Sequence, residues 1–200
     1  MSVVGRKFIL RPGQIDECHY DRIESVIVEV SRSLQYSLNS CIDIGCGLRP
    51  ANDWFAKISN PGSKFVGVDT DEKIIGELRS RGIDAVSSLN FDRTLVADLV
   101  LAKEVIEHLR PTETESFLES CKRSTVKLFA LTTPNFEYWR SQRAIDKGLR
   151  WVPDHFKDFR PGSSNPHHHK QEMTPELVAE RMRKTFGSDE WSWSVLRTWP

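Results

Sequence analysis

The chain has 200 residues, one domain's worth of sequence, which leaves no room for two independent cores. Apolar residues make up 38% and charged residues 28%, a globular balance that excludes a mostly disordered or collagen-like chain. Lys plus Arg and Asp plus Glu both number 28, so the net charge is zero; nothing suggests a generally electropositive surface, and any polyanion site must be local. No apolar run approaches the roughly 18 residues of a membrane span, and the apolar stretch after Met1 is too short for a secretory signal. A soluble, cytoplasmic chain with no membrane partner is expected. Cys18, Cys41, Cys46 and Cys121 fall at irregular spacings without a C-x-x-C pair, which points to reduced, buried thiols rather than to disulfides or a thiolate zinc site.

In chain order, Tyr20, Ile23, Val26, Ile27, Val30 and Leu34 recur at helical spacing and predict an amphipathic helix over 14–37. The β-branched run at 41–45 then stops at glycines and leads into a weaker helical stretch at 51–58, the pattern of strand, glycine turn and helix. That unit repeats as strand 64–69, helix 71–82, a short strand in 83–87 and strand 97–102. Thr112 and Glu115 read as a T-x-x-E capping box for a helix reaching Arg123, followed by a fifth buried strand at 126–132. This alternation predicts a single α/β domain over 1–200 with a doubly wound, mostly parallel sheet. Over 134–173 the alternation gives way to Pro, Gly, His, aromatic and charged residues, an irregular segment long enough to serve as a lid or substrate site. Thr174 and Pro175 then supply an N-cap and first helical residue, and the alternating Trp191, Trp193 and Trp199 suggest a closing strand.

The chemistry concentrates at strand ends. Asp43-Ile44-Gly45-Cys46-Gly47 closes the first strand and Asp69 the second. Glycines there admit close approach of a ligand, and a carboxylate at the second tip can take both hydroxyls of a ribose. A nicotinamide dinucleotide would favour G-x-G-x-x-G, but here Pro50 follows the two glycines, and Asp43 would repel a diphosphate. The sulfonium and amino group of S-adenosylmethionine suit that turn better. The bland alternative is a purely structural strand-to-helix turn.

The second constellation is Glu104, Glu107 and His108, just past the fourth strand. If a helix begins there, their offsets put all three on one face, a plausible mixed site for Mg²⁺ or Mn²⁺. They can equally close a cofactor pocket, with His108 as a base or a structural group. A further ligand would come from His155 or from the run His167, His168 and His169, of which two should be bystanders. Basic Arg140, Arg143, Lys147, Arg150, Lys157 and Arg160 interleave with Trp151, Phe156 and Phe159, either as a solvated lid or as a grip on single-stranded nucleic acid.

D-I-G-C-G, V-G-V-D, E-V-I-E-H-L and T-T-P-N, from about Cys41 to the C-terminus, resemble successive motifs of the class I S-adenosylmethionine-dependent methyltransferases. The resemblance implies a seven-stranded Rossmann-like sheet, with Asp43, Gly45 and Gly47 bordering the methionine part and Asp69 on the ribose. It places the adenine near Ser88–Asn90, where no acidic residue stands. H-K-Q-E-M-T-P-E-L, from His169, is similar to a stretch of the small-RNA 3'-terminal ribose 2'-O-methyltransferases. In that family E-x-x-E-H and a later His hold a divalent ion, which implies metal roles for Glu104, Glu107, His108 and His169 and catalytic roles for Glu107 and His108. Gln171 and Met173 stand where that family has aromatics, and the insertion between Asn135 and Pro166 is long. The ubiquinone-biosynthesis O-methyltransferases share the fourth-strand motif. Two acceptors follow as expectations, the 3' end of a single-stranded small RNA and a small catechol- or quinol-like diol. A third reading is a nucleotide-binding partner protein that keeps the fold without turnover.

Overall fold

The computed structural model describes residues 19–88, 95–134, 160–165 and 168–187, together with Trp191. In order these contain α1 (His19–Ser33), β1 (Ser40–Ile44), α2 (Asn52–Ile58), β2 (Lys64–Asp69), α3 (Glu72–Ser80), β3 (Ala85–Ser87) and β4 (Ala97–Lys103). A single 3-10 turn (Ile106–His108), α4 (Pro111–Ser124), β5 (Thr125–Thr132) and α5 (Pro175–Phe186) complete the described elements.

The five strands form one sheet in the order β3-β2-β1-β4-β5, with every neighbouring pair parallel. The strand-helix alternation therefore does fold as a doubly wound sheet. The chain winds outward from β1 to β3, then returns to place β4 on the other side of β1. At such a reversal the connections leave in opposite directions and a crevice opens beyond the carboxyl ends of β1 and β4. The expected closing strand lies outside the described residues, apart from Trp191.

Period-two alternation feeds both faces of the sheet. Cys41, Leu99 and Leu101 pack with Ile27 of α1 and Phe55 of α2, whereas Ile42, Ile44 and Val100 pack with Cys121 and Phe117 of α4. Covered on both faces, β4 is buried from Ala97 to Ala102, as a central parallel strand must be. β5, the last strand of the described sheet, is only half-buried over most of its length, so the expectation of a fully buried fifth strand is corrected.

α3 ends at Ser80 rather than at 82, and two further helix boundaries differ from their sequence-based placement. α1 ends at Ser33, because Gln35 takes a φ of +54° and the Tyr36 N–H donates to the Ser31 carbonyl at 2.8 Å. That six-to-one bond closes the helix four residues short of the expected end at 37. α4 starts at Pro111 with Arg110 as its cap, and the Arg110 N–H donates to Glu113 Oε2 at 2.7 Å. Proline at the first position fixes the start one residue before Thr112, so Glu113 rather than Glu115 occupies the capping-acid position. Glu115 instead faces α5, 2.6 Å from Lys184 Nζ.

α5 docks against α4 and β5 through Ile106, Leu118, Met173 and Phe186, with Phe186 stacked on Phe129 at 5.4 Å between ring centres. This cluster ties the chain's C-terminal helix to the turn that follows β4. Leu118 has no exposed surface. Its replacement by alanine is expected to cost about 2–5 kcal/mol through lost burial and a cavity that rigid neighbours cannot fill. Urea unfolding of Leu118→Ala checks this, and an unchanged midpoint would mean that α5 is not docked as described.

None of the described helices is long and apolar enough to cross a membrane.

Candidate active site

The glycine turn lies at the crevice. Gly45 and Gly47 have φ of +66° and +57°, a left-handed backbone in which a side chain is strained. A Cβ on Gly45 would also come within 2.6 Å of Val105 Cγ2, so the turn packs directly against the segment after β4. The Gly45 and Cys46 N–H groups donate to the Val68 carbonyl at 2.8 and 3.2 Å. Asp69 bridges two turns, its Oδ2 accepting from the Gly47 N–H at 2.9 Å and its Oδ1 from the Asp71 N–H at 3.0 Å. Half-buried Ser88 directly follows β3. Gly45, Gly47, Asp69 and Ser88 thus lie at the ends of three adjacent strands.

Asp43 sits beneath that row. It has no exposed surface, and its Oδ2 accepts from the Ala51 N–H at 2.8 Å and meets Lys103 Nζ at 3.3 Å, while Oδ1 has no partner. Burial raises its pKa, and the Lys103 ammonium opposes that rise. The acid that the sequence places toward a ligand therefore points its charge into the protein. The Cys46 thiol, inside the turn, is pushed up to about 12 by burial and then by the charges of Asp43 and Asp69, so it stays protonated. Cys41 and Cys121 are also buried thiols, as expected.

Across the crevice, Glu104, Glu107 and His108 do not share a helical face. β4 ends in a left-handed kink at Glu104, φ +54°, whose N–H donates to the Thr132 carbonyl at 3.0 Å. Only one turn of 3-10 helix follows, with the tighter three-residue period. The turn nevertheless delivers a cluster: Glu107, His108 and His169 each bring one ligand atom within 4.8 Å of the others. Glu104 is not part of that trio but lies close enough to act on it. Burial, then the Glu104 charge, pushes the Glu107 carboxyl up to about 8. Thr133 Oγ1 donates to Glu107 Oε2 at 3.0 Å, and Oε1 is buried with no partner. The His108 Nδ1 lies 3.4 Å from the His168 carbonyl, which accepts a hydrogen bond when Nδ1 carries a proton.

Of the histidine run, His169 reaches the site, its ring edge-on to His108 with centres 4.7 Å apart. His168 is held by Ser163 Oγ, 2.7 Å from its Nδ1, and serves the loop instead. His155, His167 and the basic-aromatic stretch through Phe159 lie outside the described residues; Arg160 is described, and its N–H donates to the His169 carbonyl at 2.8 Å.

Three contributors escaped sequence reasoning. Gln171 is buried, and its Nε2 donates to the Ile106 carbonyl at 2.9 Å and to Thr114 Oγ1 at 2.6 Å. With the Lys170 N–H donating to the Glu107 carbonyl at 2.7 Å, it clamps the segment carrying His169 onto the 3-10 turn. Its amide explains a polar residue at a position where aromatics were expected, and Met173 beside it is core. Thr133 carried no distinguishing signal, whereas Lys103 did: it is the charged end of an otherwise apolar strand tip.

No protein-family model matches the chain, and no curated protein does. Solved structures do match, and the fold they share with it is that of the S-adenosylmethionine-dependent methyltransferases, the Rossmann-like class I fold that the motifs implied. The plantazolicin methyltransferase BamL, solved with a triazolic desmethylPZN analog and SAH, aligns with a TM-score of 0.61 at 11% identity over 83% of this chain and 60% of its own. BpumL, with a pentazolic desmethylPZN analog and SAH, gives 0.62 at 14% identity over 84% and 63%. A SAM-dependent methyltransferase from Archaeoglobus fulgidus gives 0.50 at 19% identity over 84% and 74%. This chain thus spans less than two thirds of the length of the plantazolicin enzymes.

The clamp generates a direct expectation. Gln171→Leu keeps the volume but leaves the Ile106 carbonyl and Thr114 hydroxyl without their donor, at an expected cost of about 1–3 kcal/mol. Hydrogen exchange should then rise in 168–173 while β1 and β4 stay protected; exchange unchanged in that segment would show that the clamp does not hold it.

Proposed function

We propose that the chain is an S-adenosylmethionine-dependent O-methyltransferase acting on one of two adjacent hydroxyls, with the 3'-terminal ribose of a small RNA as acceptor. The methyl-donor reading rests on the glycine turn and Asp69 at the reversal of the sheet, together with a fold shared with SAH-bound enzymes. Asp69 keeps lone pairs for the ribose hydroxyls, since each of its oxygens accepts one backbone N–H.

The observation that carries the acceptor chemistry is the unpartnered, buried Glu107 Oε1 beside His108 and His169. A carboxylate and two imidazoles suit a divalent cation, and a positive charge there would offset the burial and the Glu104 charge that raise the Glu107 carboxyl. Glu107, His108 and His169 would hold the ion, with Glu104 adding negative charge nearby. A bound divalent cation supplies attraction for a diol and lowers the pKa of the attacking hydroxyl. The protein's own part is orientation. Thr133 fixes the Glu107 carboxyl, the His168 carbonyl fixes the His108 ring, and the 168–173 clamp keeps His169 opposite them. In the transfer the methyl leaves the sulfonium for the oxygen, giving S-adenosylhomocysteine, and the hydroxyl proton departs to a base. His108 Nε2 can be that base where no cation occupies the site.

Calorimetry with S-adenosylhomocysteine tests the donor reading. Asp69→Ala should weaken binding by about one to two decades, the loss of a charged acceptor from the ribose, about 1.5–3 kcal/mol. No binding by the unaltered protein would overturn it.

Labelled methyl transfer tests the acceptor. RNA with a free 3' end should be methylated, and 3'-phosphorylated or periodate-treated RNA should not. EDTA should abolish transfer, Mg²⁺ or Mn²⁺ should restore it, and Glu107→Gln should imitate the chelator. Transfer to catechols but not to RNA would move the acceptor to a small diol. Chelator-resistant transfer would leave His108 as the base, and tight donor binding without any transfer would favour a partner protein that keeps the fold without turnover.

A further inference from the structure

The ion pair between Asp43 and Lys103 has no part in the reading above, yet it stands at the head of the crevice. Lys103 is the last residue of β4, and β4 borders β1 on the side where the sheet reverses. Its Nζ lies 3.3 Å from Asp43 Oδ2; the lysine side chain is 14% exposed and the aspartate side chain 0%. The aspartate is also tied to the Ala51 N–H at the start of α2, so it cannot swing outward without releasing that helix. Both internal contacts fall on Oδ2 and the other oxygen is buried, so the member of the pair with exposed side-chain surface is the cation.

Stability alone is a poor reason for this arrangement, because a buried ion pair gains little over apolar residues of equal volume once both charges are desolvated. A ligand gives it a use. The amino-acid end of the methyl donor and of its product carries a carboxylate and an ammonium. An already neutralised aspartate gains little from the ammonium, whereas a lysine steered by a buried carboxylate offers strong, charge-assisted hydrogen bonds to the carboxylate. We propose that Lys103 determines specificity for the amino-acid end of the donor by taking its carboxylate, with Asp43 as the positioning residue behind it. This inference rests on the methyl-donor reading of the glycine turn.

The test compares S-adenosylhomocysteine with its decarboxylated analogue, which keeps the ammonium and lacks the carboxylate, by calorimetry on the full chain. The unaltered protein should prefer S-adenosylhomocysteine by about 10- to 100-fold, the worth of one charge-assisted contact. Lys103→Met should remove that preference by weakening S-adenosylhomocysteine alone, and Lys103→Arg should keep it. Because Lys103→Met strands a buried carboxylate, the double variant Lys103→Met with Asp43→Asn, in which both groups are neutral, should give the same loss of preference in a folded protein. A preference that survives both methionine variants overturns the proposal. So does an equal loss for the two ligands, which would make the pair a structural strut, or tighter S-adenosylhomocysteine binding by Lys103→Met, which would make the lysine a competitor for Asp43. If the unaltered protein binds neither ligand, the donor reading itself falls; if it binds both but the variants fail to discriminate, only the role of Lys103 falls.

Discussion

A carboxylate cut off from water at the tip of the central strand constrains everything around it. Asp43 must find partners within the protein or lose its charge, and it finds the Ala51 N–H and the Lys103 ammonium. The first fixes where α2 begins after the glycine turn, and the second ties the end of β4 to the end of β1. Between these two anchors the chain turns through the left-handed glycines, the Gly45 N–H donating to the Val68 carbonyl and the Gly47 N–H to Asp69. The shape of this side of the crevice follows from finding partners for one buried charge.

The opposite side is built by a different device. Glu107 and His108 follow β4 directly, but His169 arrives after a long excursion and has no regular element to carry it. What places it is main-chain hydrogen bonding: Lys170 to the Glu107 carbonyl on one side and Arg160 to the His169 carbonyl on the other. Gln171 and Met173 anchor the same stretch, one through its amide and one through the apolar cluster shared with Leu118 and Phe186. A loop fastened at its backbone can bring a functional side chain within a few ångströms of its partners without a helix or strand of its own. The kink at Glu104 belongs to the same logic, since a left-handed non-glycine residue persists only where neighbours hold it, and here Thr132 does.

The two sides meet through Val105, whose side chain fills the space that a Cβ on Gly45 would need. A change in the 3-10 turn is therefore felt at the glycine turn. The likeness to the plantazolicin enzymes, at 11% to 14% identity, is one of fold alone.

Periodicity along the chain was enough to read the strands, most of the helices and their parallel arrangement, because parallel strands buried on both faces and amphipathic helices leave local patterns that need no knowledge of contacts. The glycine turn, Asp69 and the Glu107-His108 pair were legible for a related reason: each sits next to a strand end, and strand ends of such sheets face the crevice. Distance along the chain hid the rest. Residue type does not separate His169 from His168; the resemblance of the stretch that begins at His169 pointed to it, and the folded backbone brings its ring to His108 while Ser163 holds His168. Glu104 kept its place near the cluster but lost its helical face, because the choice between an α-helix and a single 3-10 turn was made by the bond to Thr132 on a neighbouring strand. The inward direction of the Asp43 charge likewise depended on Lys103, sixty residues away in sequence and beside it only once β4 has paired with β1. Side-chain type and spacing determine which groups a strand end can offer; which way each one points is decided by pairings between segments that the linear chain does not bring together.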